Sequence, residues 1–233
     1  APSRGLGDVY KRQREYREAK PLLETYGLSV PLITLNGAAI FDTEGKILDE
    51  VPITKPNAQL IMHQLEKRGL YYEITTNQGV VSNSRTRRIE TVSHLLETVN
   101  PDTPFKLAVA MSSARVELMN IRYVDNYQVL LDDPKIQILK LVAFGQNGQK
   151  GLQPVREAIQ QQVDVAISSS FENNIEINSP RAQKGLAVQN FADQLGIPMS
   201  QVMTIGDNLN DASMLRVAGV SYACLLYTSD AAD

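Results

Sequence analysis

Cysteine is almost missing from this 233-residue chain: Cys224, ten residues from the end, is the only one. An internal disulfide is therefore excluded, and thiol catalysis and cysteine-ligated zinc are excluded for everything before it. Histidine is nearly as scarce. His63 and His94 fall on separate predicted helices without ligand spacing and read as surface or interfacial residues. No apolar run reaches the ~20 residues of a membrane span, and no block of Lys or Arg interrupts a chain with 23 basic and 26 acidic side chains. A net charge of −3 without basic clusters argues against nucleic acid and anionic membrane as main partners. Internal repeats and low-complexity tracts are also absent. What is present, 43% hydrophobic residues, suffices for the core of one large domain or two small ones.

The two ends read differently from the rest. "SRGLGDVYKRQ" (3–13) carries no apolar period, and "CLLYTSDAAD" (224–233) interrupts what reads as a strand, "GVSYA". Both resemble translated transposase adaptors used in preparing DNA libraries. Codons for Asp-Val-Tyr-Lys-Arg-Gln spell a transposase end, whose reverse complement in another frame gives Cys-Leu-Leu-Tyr-Thr-Ser. On this reading residues 1–13 and 224–233 are adaptor-derived, and the native sequence is an internal fragment from about Arg14 to Ala223. Natural disordered tails are the alternative. The charges of the two ends (Arg4, Lys11 and Arg12 against Asp8, Asp230 and Asp233) cancel, so −3 also describes the fragment.

Between these ends the pattern predicts a helix over 14–27, a buried strand over 31–37 and a hairpin turning at Glu44-Gly45. A helix over 57–69 follows, with Leu60, Ile61 and Leu65 inward, then the strand "LYYEITT" and a helix over "SRTRRIETVSHLLETV". "FKLAVAM", "KIQILKLVAFG", "VDVAISSS" and "NIEIN" read as strands, with a helix at "QPVREAIQQQ". This irregular mixture suits an α+β region. From Lys184 the order is cleaner: a helix with Val188, Phe191 and Leu195 on one face, a strand, a helix and a strand, hence a parallel sheet.

The chemistry is most legible in "VMTIGDNLNDASML" (202–215). An apolar run, Val202 to Ile205, reads as a buried strand that breaks at Gly206 into a loop with Asp207, Asn210 and Asp211. Carboxylates at the C-terminal end of a parallel strand are well placed to hold a divalent cation. An ordinary polar turn, with Asn210 or Asp211 capping the next helix, also fits these residues.

Three stretches together, "LITLNGAAIFD" (32–42), "EINSPRAQKGLAV" (176–188) and "IGDNLNDASML" (205–215), resemble the haloacid dehalogenase superfamily, specifically the Cof-type sugar-phosphate phosphatases with an α+β cap. The likeness spans essentially all of Arg14 to Ala223. It implies an α/β fold: a three-layer core with a parallel sheet, here 14–52 and 177–223, and an inserted α+β cap, 53–176. It also implies phosphoryl transfer to an aspartate followed by hydrolysis of the aspartyl phosphate, with Mg²⁺ as cofactor, a small phosphorylated metabolite as substrate and a cytoplasmic location. By resemblance Asp207 is a metal ligand, Asp211 orients metal-bound water or Lys184, Asn210 donates its amide to the phosphate, and Lys184 places an ammonium on the phosphoryl oxygens.

The family's nucleophile and acid/base aspartates stand in an Asp-x-Asp-Gly sequence that precedes the helix beginning near Glu15, so the resemblance places them before Gln13. The chain as given is accordingly expected to be inactive. "IFDTEG" (40–45) imitates that motif, but its flanks pair naturally as a hairpin, so Asp42 is read as a turn residue. The arginines at 85, 87 and 88 read as a solvated helix face, and Glu73, Asn77 and Arg85 are cap candidates on polarity alone. Two rivals share the core: a phosphosugar mutase, and a non-catalytic phosphate-binding relative. A cation-pumping ATPase uses a similar loop but would need membrane spans nearby.

Overall fold

The structure, a computed structural model, describes residues 16–145, 147–207 and 209–223. The stretches read as adaptor-derived, 1–13 and 224–233, lie outside the described residues. The chain divides into two compact units, one of residues 52–178 and one of residues 16–51 and 179–223, so the first is inserted into the second.

The inserted unit is built on a six-stranded sheet. Its strands are β4 (Tyr71–Thr76), β5 (Gly79–Ser82), β6 (Ile121–Tyr123), β7 (Ile138–Phe144), β8 (Ala166–Ser168) and β9 (Asn174–Asn178), in the order β6-β5-β4-β7-β9-β8. All pairs are antiparallel except β5 with β6. Strand alternation gives the sheet one apolar face. Ile74, Leu141 and Ile177 are cross-strand neighbours there, and all three are fully buried. They share a core with Ile61 and Leu65 of α2 (Lys55–Lys67), Leu130 of α5 (Gln128–Asp132) and Leu152, Val155 and Ile159 of α6 (Gly148–Gln160). Thr54 caps α2 by accepting from Asn57 N at 3.4 Å, and Gly69, at φ +64°, ends it in the left-handed region.

Leu60, expected inward, is 43% exposed; the inward stripe of α2 is Ala58, Ile61, Met62 and Leu65. Leu60 lies one residue before Ile61, about 100° around the helix, and so falls outside that stripe. A larger correction concerns "FKLAVAM". It is the start of a helix, α4 (Phe105–Leu118), beside α3 (Arg85–Val99). Its buried residues are Ala108, Ser112 and Val116, at helical spacing, while Leu107 is exposed. A short apolar run does not separate strand from helix, and here small residues rather than large ones face inward. The other face of the sheet is polar yet buried, with Glu73, Lys140, Glu176 and Asn178 each at most 5% exposed. Two ion pairs compensate: Lys140 Nζ meets Glu176 at 2.5 Å, and Arg88 of α3 pairs with Glu73. Arg88 is therefore not a solvated residue, although Arg85, paired with Glu117, remains on the surface.

The second unit opens with α1 (Tyr16–Thr25) and a three-stranded antiparallel sheet of β1 (Leu32–Thr34), β2 (Ala39–Phe41) and β3 (Ile47–Glu50). Tyr16 stacks on Phe41 with centroids 4.8 Å apart. Asp42 Oδ1 accepts from Glu44 N at 2.9 Å and Lys46 N at 2.8 Å, which closes the hairpin and fits its reading as a turn residue. β1 is half-buried and stops at Thr34, three residues short of the predicted strand, because the chain turns left-handed at Leu35.

The unit closes with α7 (Lys184–Gln194), β10 (Met203–Gly206), α8 (Ala212–Val217) and β11 (Val220–Ala223). β10 and β11 pair in parallel, as the order implied. The strand over 202–205 is not buried throughout. Thr204 and Gly206 are buried, but Met203 and Ile205 are more than half exposed, as is Tyr222, with Val220 close to that. The register pairs Met203 with Val220 and Ile205 with Tyr222, so these four side chains share one open apolar face. Leu195, expected inward on α7, is also exposed, since it lies beyond the helix end at Gln194.

Candidate active site

The loop after β10 is organised by Asp211. Gly206 permits the turn: a Cβ there would lie 2.5 Å from the Asp211 Cβ. The Asp211 carboxylate folds back under the loop, 4% exposed, and accepts from Asp207 N at 3.0 Å through Oδ2. Its other oxygen accepts from Lys184 Nζ at 2.5 Å, across 27 residues of sequence. That bond fastens the first residue of α7 to the loop. The backbone at Gly185 completes the seam by donating to Ser213 Oγ at 3.0 Å, and a Cβ at Gly185 would strike Ser213 O at 2.5 Å.

Lys184, Asp207, Asn210 and Asp211, singled out from the sequence, are thus gathered on adjoining segments of one unit. Lys184 is partly exposed and Asp207 lies at the surface. The arrangement sets one ammonium against one buried carboxylate, with an exposed carboxylate and an amide beside them. An ammonium whose charge is held in place can meet an oxyanion, and a solvent-facing carboxylate can ligate a hard cation. For Mg²⁺ the donor type fits, but the donor number is short. Among the described residues no group of three His, Cys, Asp or Glu is placed to hold a metal ion. Asp207 would supply one ligand of the several oxygens that Mg²⁺ takes.

Sequence reasoning missed one contributor. Asn36, two residues beyond the end of β1, accepts from Asn210 Nδ2 at 3.3 Å across 174 residues. The Asn-Gly pair at 36–37 was a turn signal, but nothing in the sequence linked it to Asn210. The cap candidates belong to the inserted unit. Glu73 is buried against Arg88 and Tyr71. Asn77 ties two loops by donating to Lys135 O at 3.1 Å and accepting from Gln137 N at 3.0 Å. Both histidines are exposed, His94 with Glu97 3.2 Å away.

The family model for haloacid dehalogenase-like hydrolases matches residues 13–225. Phosphatase YwpJ of Bacillus subtilis is 28% identical over 221 residues, covering 94% of this chain and 77% of the relative. The 5-amino-6-(5-phospho-D-ribitylamino)uracil phosphatase YwtE of the same organism is 26% identical, over 87% of this chain and 70% of its own. A solved haloacid dehalogenase-like hydrolase from B. subtilis superposes with a TM-score of 0.73 at 28% identity, covering 91% of this chain and 74% of that one. With the family model spanning nearly the whole chain, the chain belongs to the haloacid dehalogenase-like hydrolase family.

Proposed function

We propose that the protein to which these residues belong is a Mg²⁺-dependent phosphatase of small phosphorylated metabolites, with sugar phosphates as the first class to test. The observation that carries this reading is the Lys184–Asp211 pair beside Asp207 and Asn210. The names of YwpJ and YwtE, both phosphatases, support it, and the latter name specifies a small phosphorylated substrate.

In the reaction a carboxylate attacks phosphorus in line, the ester oxygen leaves with a proton from a second carboxyl group, and water then hydrolyses the acyl phosphate. Mg²⁺, when bound, would screen the negative charge of the phosphate from the attacking carboxylate. Lys184 would hold its ammonium on the phosphoryl oxygens, kept in place by Asp211. Asn210 would donate to the same group, and Asp207 would ligate the cation. Residues 14–52 and 177–223 would form the catalytic core, and 53–176 a cap that excludes water and selects the substrate. A cytoplasmic location accompanies this reading. Among the described residues no helix is long and apolar enough to cross a membrane.

The 233 residues contain no two aspartates two positions apart, so Asp-x-Asp-Gly is absent from them. We therefore expect this chain to lack turnover; losing such a nucleophile costs on the order of 10⁴ to 10⁶ in rate. The same fact gives the non-catalytic phosphate-binding relative its standing as the second reading. Phosphate release from a panel of phosphomonoesters, measured with Mg²⁺ and with chelator, tests the proposal. Turnover by these 233 residues would overturn the assignment of the missing nucleophile. A longer natural product of the same gene should release phosphate; substrate rearrangement without phosphate release would identify a mutase.

A further inference from the structure

The loop Leu35-Asn36-Gly37 has a feature that neither the family match nor the site residues explain. Leu35 (φ +53°) and Asn36 (φ +61°) are the only non-glycine residues with positive φ among the described residues, and they are consecutive, followed by Gly37 at +94°. A left-handed leucine is an uncommon and costly conformation that persists only where surrounding structure enforces it. Two contacts enforce it here. Gly37 lies so close to the start of α7 that a Cβ would meet Gln183 O at 2.6 Å and Lys184 N at 3.1 Å. Asn36 Oδ1 accepts from Asn210 Nδ2 at 3.3 Å. The strained loop therefore touches both segments that carry the candidate site, one through backbone and one through a side chain. Within the Asn210 amide, Nδ2 is engaged by Asn36, while Oδ1 is buried without a partner among the described residues.

We propose that Asn36 is a positioning residue for the phosphate site: by holding the Asn210 amide it fixes the direction of the remaining Nδ2 hydrogen. An amide has two donor hydrogens, so Asn210 can serve Asn36 with one and a phosphoryl oxygen with the other. Without Asn36 the amide rotates about its last torsion and spends only part of its time aimed at the ligand. The proposal rests on the phosphate reading of Asn210 given above, and the test separates the two.

Inorganic phosphate, with Mg²⁺ present, is titrated into the full chain while the side-chain amide signals of Asn210 are followed by NMR. The variants are Asn36→Gly, Asn210→Ala and the double variant. Glycine accepts the left-handed backbone at position 36, so this change removes the side chain while leaving the loop conformation accessible. Asn36→Gly is expected to weaken phosphate binding by about 10-fold, the equivalent of one net hydrogen bond, and to shift the Asn210 signals in the free protein. In the Asn210→Ala background the same change should have no further effect on phosphate binding, since the proposed role of Asn36 runs through the Asn210 amide. Equal weakening in both backgrounds, or none in either, would overturn the role of Asn36 while leaving the phosphate site standing. Phosphate binding indifferent to Asn210→Ala, or absent from the unchanged chain, would instead remove the phosphate reading, and the proposal with it.

Discussion

Truncating Asp211 should be the most damaging single change in the second unit. Its carboxylate is 4% exposed and is held by Lys184 Nζ at 2.5 Å and Asp207 N at 3.0 Å. Breaking a fully buried ion pair by removing one partner costs about 3–5 kcal/mol. The Lys184 side chain is 29% exposed and can turn its ammonium to water, which reduces that loss to about 2 kcal/mol. Asp207 N–H also loses an ionised acceptor, worth about 1.5 kcal/mol. Asp211→Ala is therefore expected to cost about 3.5 kcal/mol locally, and Asp211→Asn, which keeps shape and one acceptor, about 2 kcal/mol. Two compact units make a single unfolding midpoint a poor reporter, so hydrogen exchange at the Asp207 amide is the better assay. Its protection should fall by roughly two orders of magnitude in Asp211→Ala. A double cycle with Lys184→Ala should show coupling of more than about 1 kcal/mol. Protection unchanged within threefold, or additive effects of the two changes, would refute the view that this pair organises the loop.

Further outcomes follow from other parts of the structure. The Lys140–Glu176 pair lies in a buried polar sheet face. Glu176→Gln alone should cost about 3 kcal/mol or more in urea unfolding of the inserted unit, whereas Lys140→Met with Glu176→Leu should recover most of it. Glu50 has Oε1 buried without a partner among the described residues; burial first, and the neighbouring Asp49 charge second, raise its pKa above 4.5. A raised folded-state pKa means that the folded chain binds the proton more tightly. This contribution is present below pH 4.5 and is lost as pH rises through the folded value, so Glu50→Gln should stabilise the protein at neutral pH but not in acid. Burial, aided by Glu73 for Tyr71 and by Glu66 for Tyr72, pushes both phenols far above the usual tyrosine range. Their tyrosinate absorbance should therefore appear only as alkali unfolds the unit. Ile205→Ser with Tyr222→Ser, on the open apolar face of β10 and β11, should lower binding of a hydrophobic dye; unchanged binding would show that this face is covered in solution.

Legibility in the sequence depended on how far apart the interacting residues stand and on how large they are. The helices α2, α3, α6 and α7 and the strands β4, β7 and β9 announce themselves through large apolar residues at a regular period with turn residues beside them. α4 did not, because its buried stripe is Ala108, Ser112 and Val116 and its conspicuous Leu107 faces out. Half-exposure of β10 was equally hidden: "VMTI" is apolar except for Thr204, which is one of the buried residues, and only the pairing with β11 reveals which alternate residues lack a cover. In the site, the loop residues were visible as chemistry-bearing types at the end of a strand, and Lys184 only through the family resemblance. The Asn36–Asn210 contact was not visible, because nothing local signals a bond between residues 174 positions apart. Nor does a leucine in left-handed backbone leave a mark in sequence, since that residue type, unlike glycine or asparagine, carries no preference for the conformation.

In the proposed reaction Lys184, held by its loop partner Asp211, meets the phosphoryl oxygens. Phosphate release by the natural gene product that contains these residues, compared with that of its Lys184→Ala variant at saturating Mg²⁺, is the decisive experiment. That role of Lys184 calls for Mg²⁺-dependent release that falls by about 10²-fold or more when Lys184 is removed, while the protein remains folded. Release that survives the loss of Lys184 within a few fold, or proceeds equally in chelator, would contradict it.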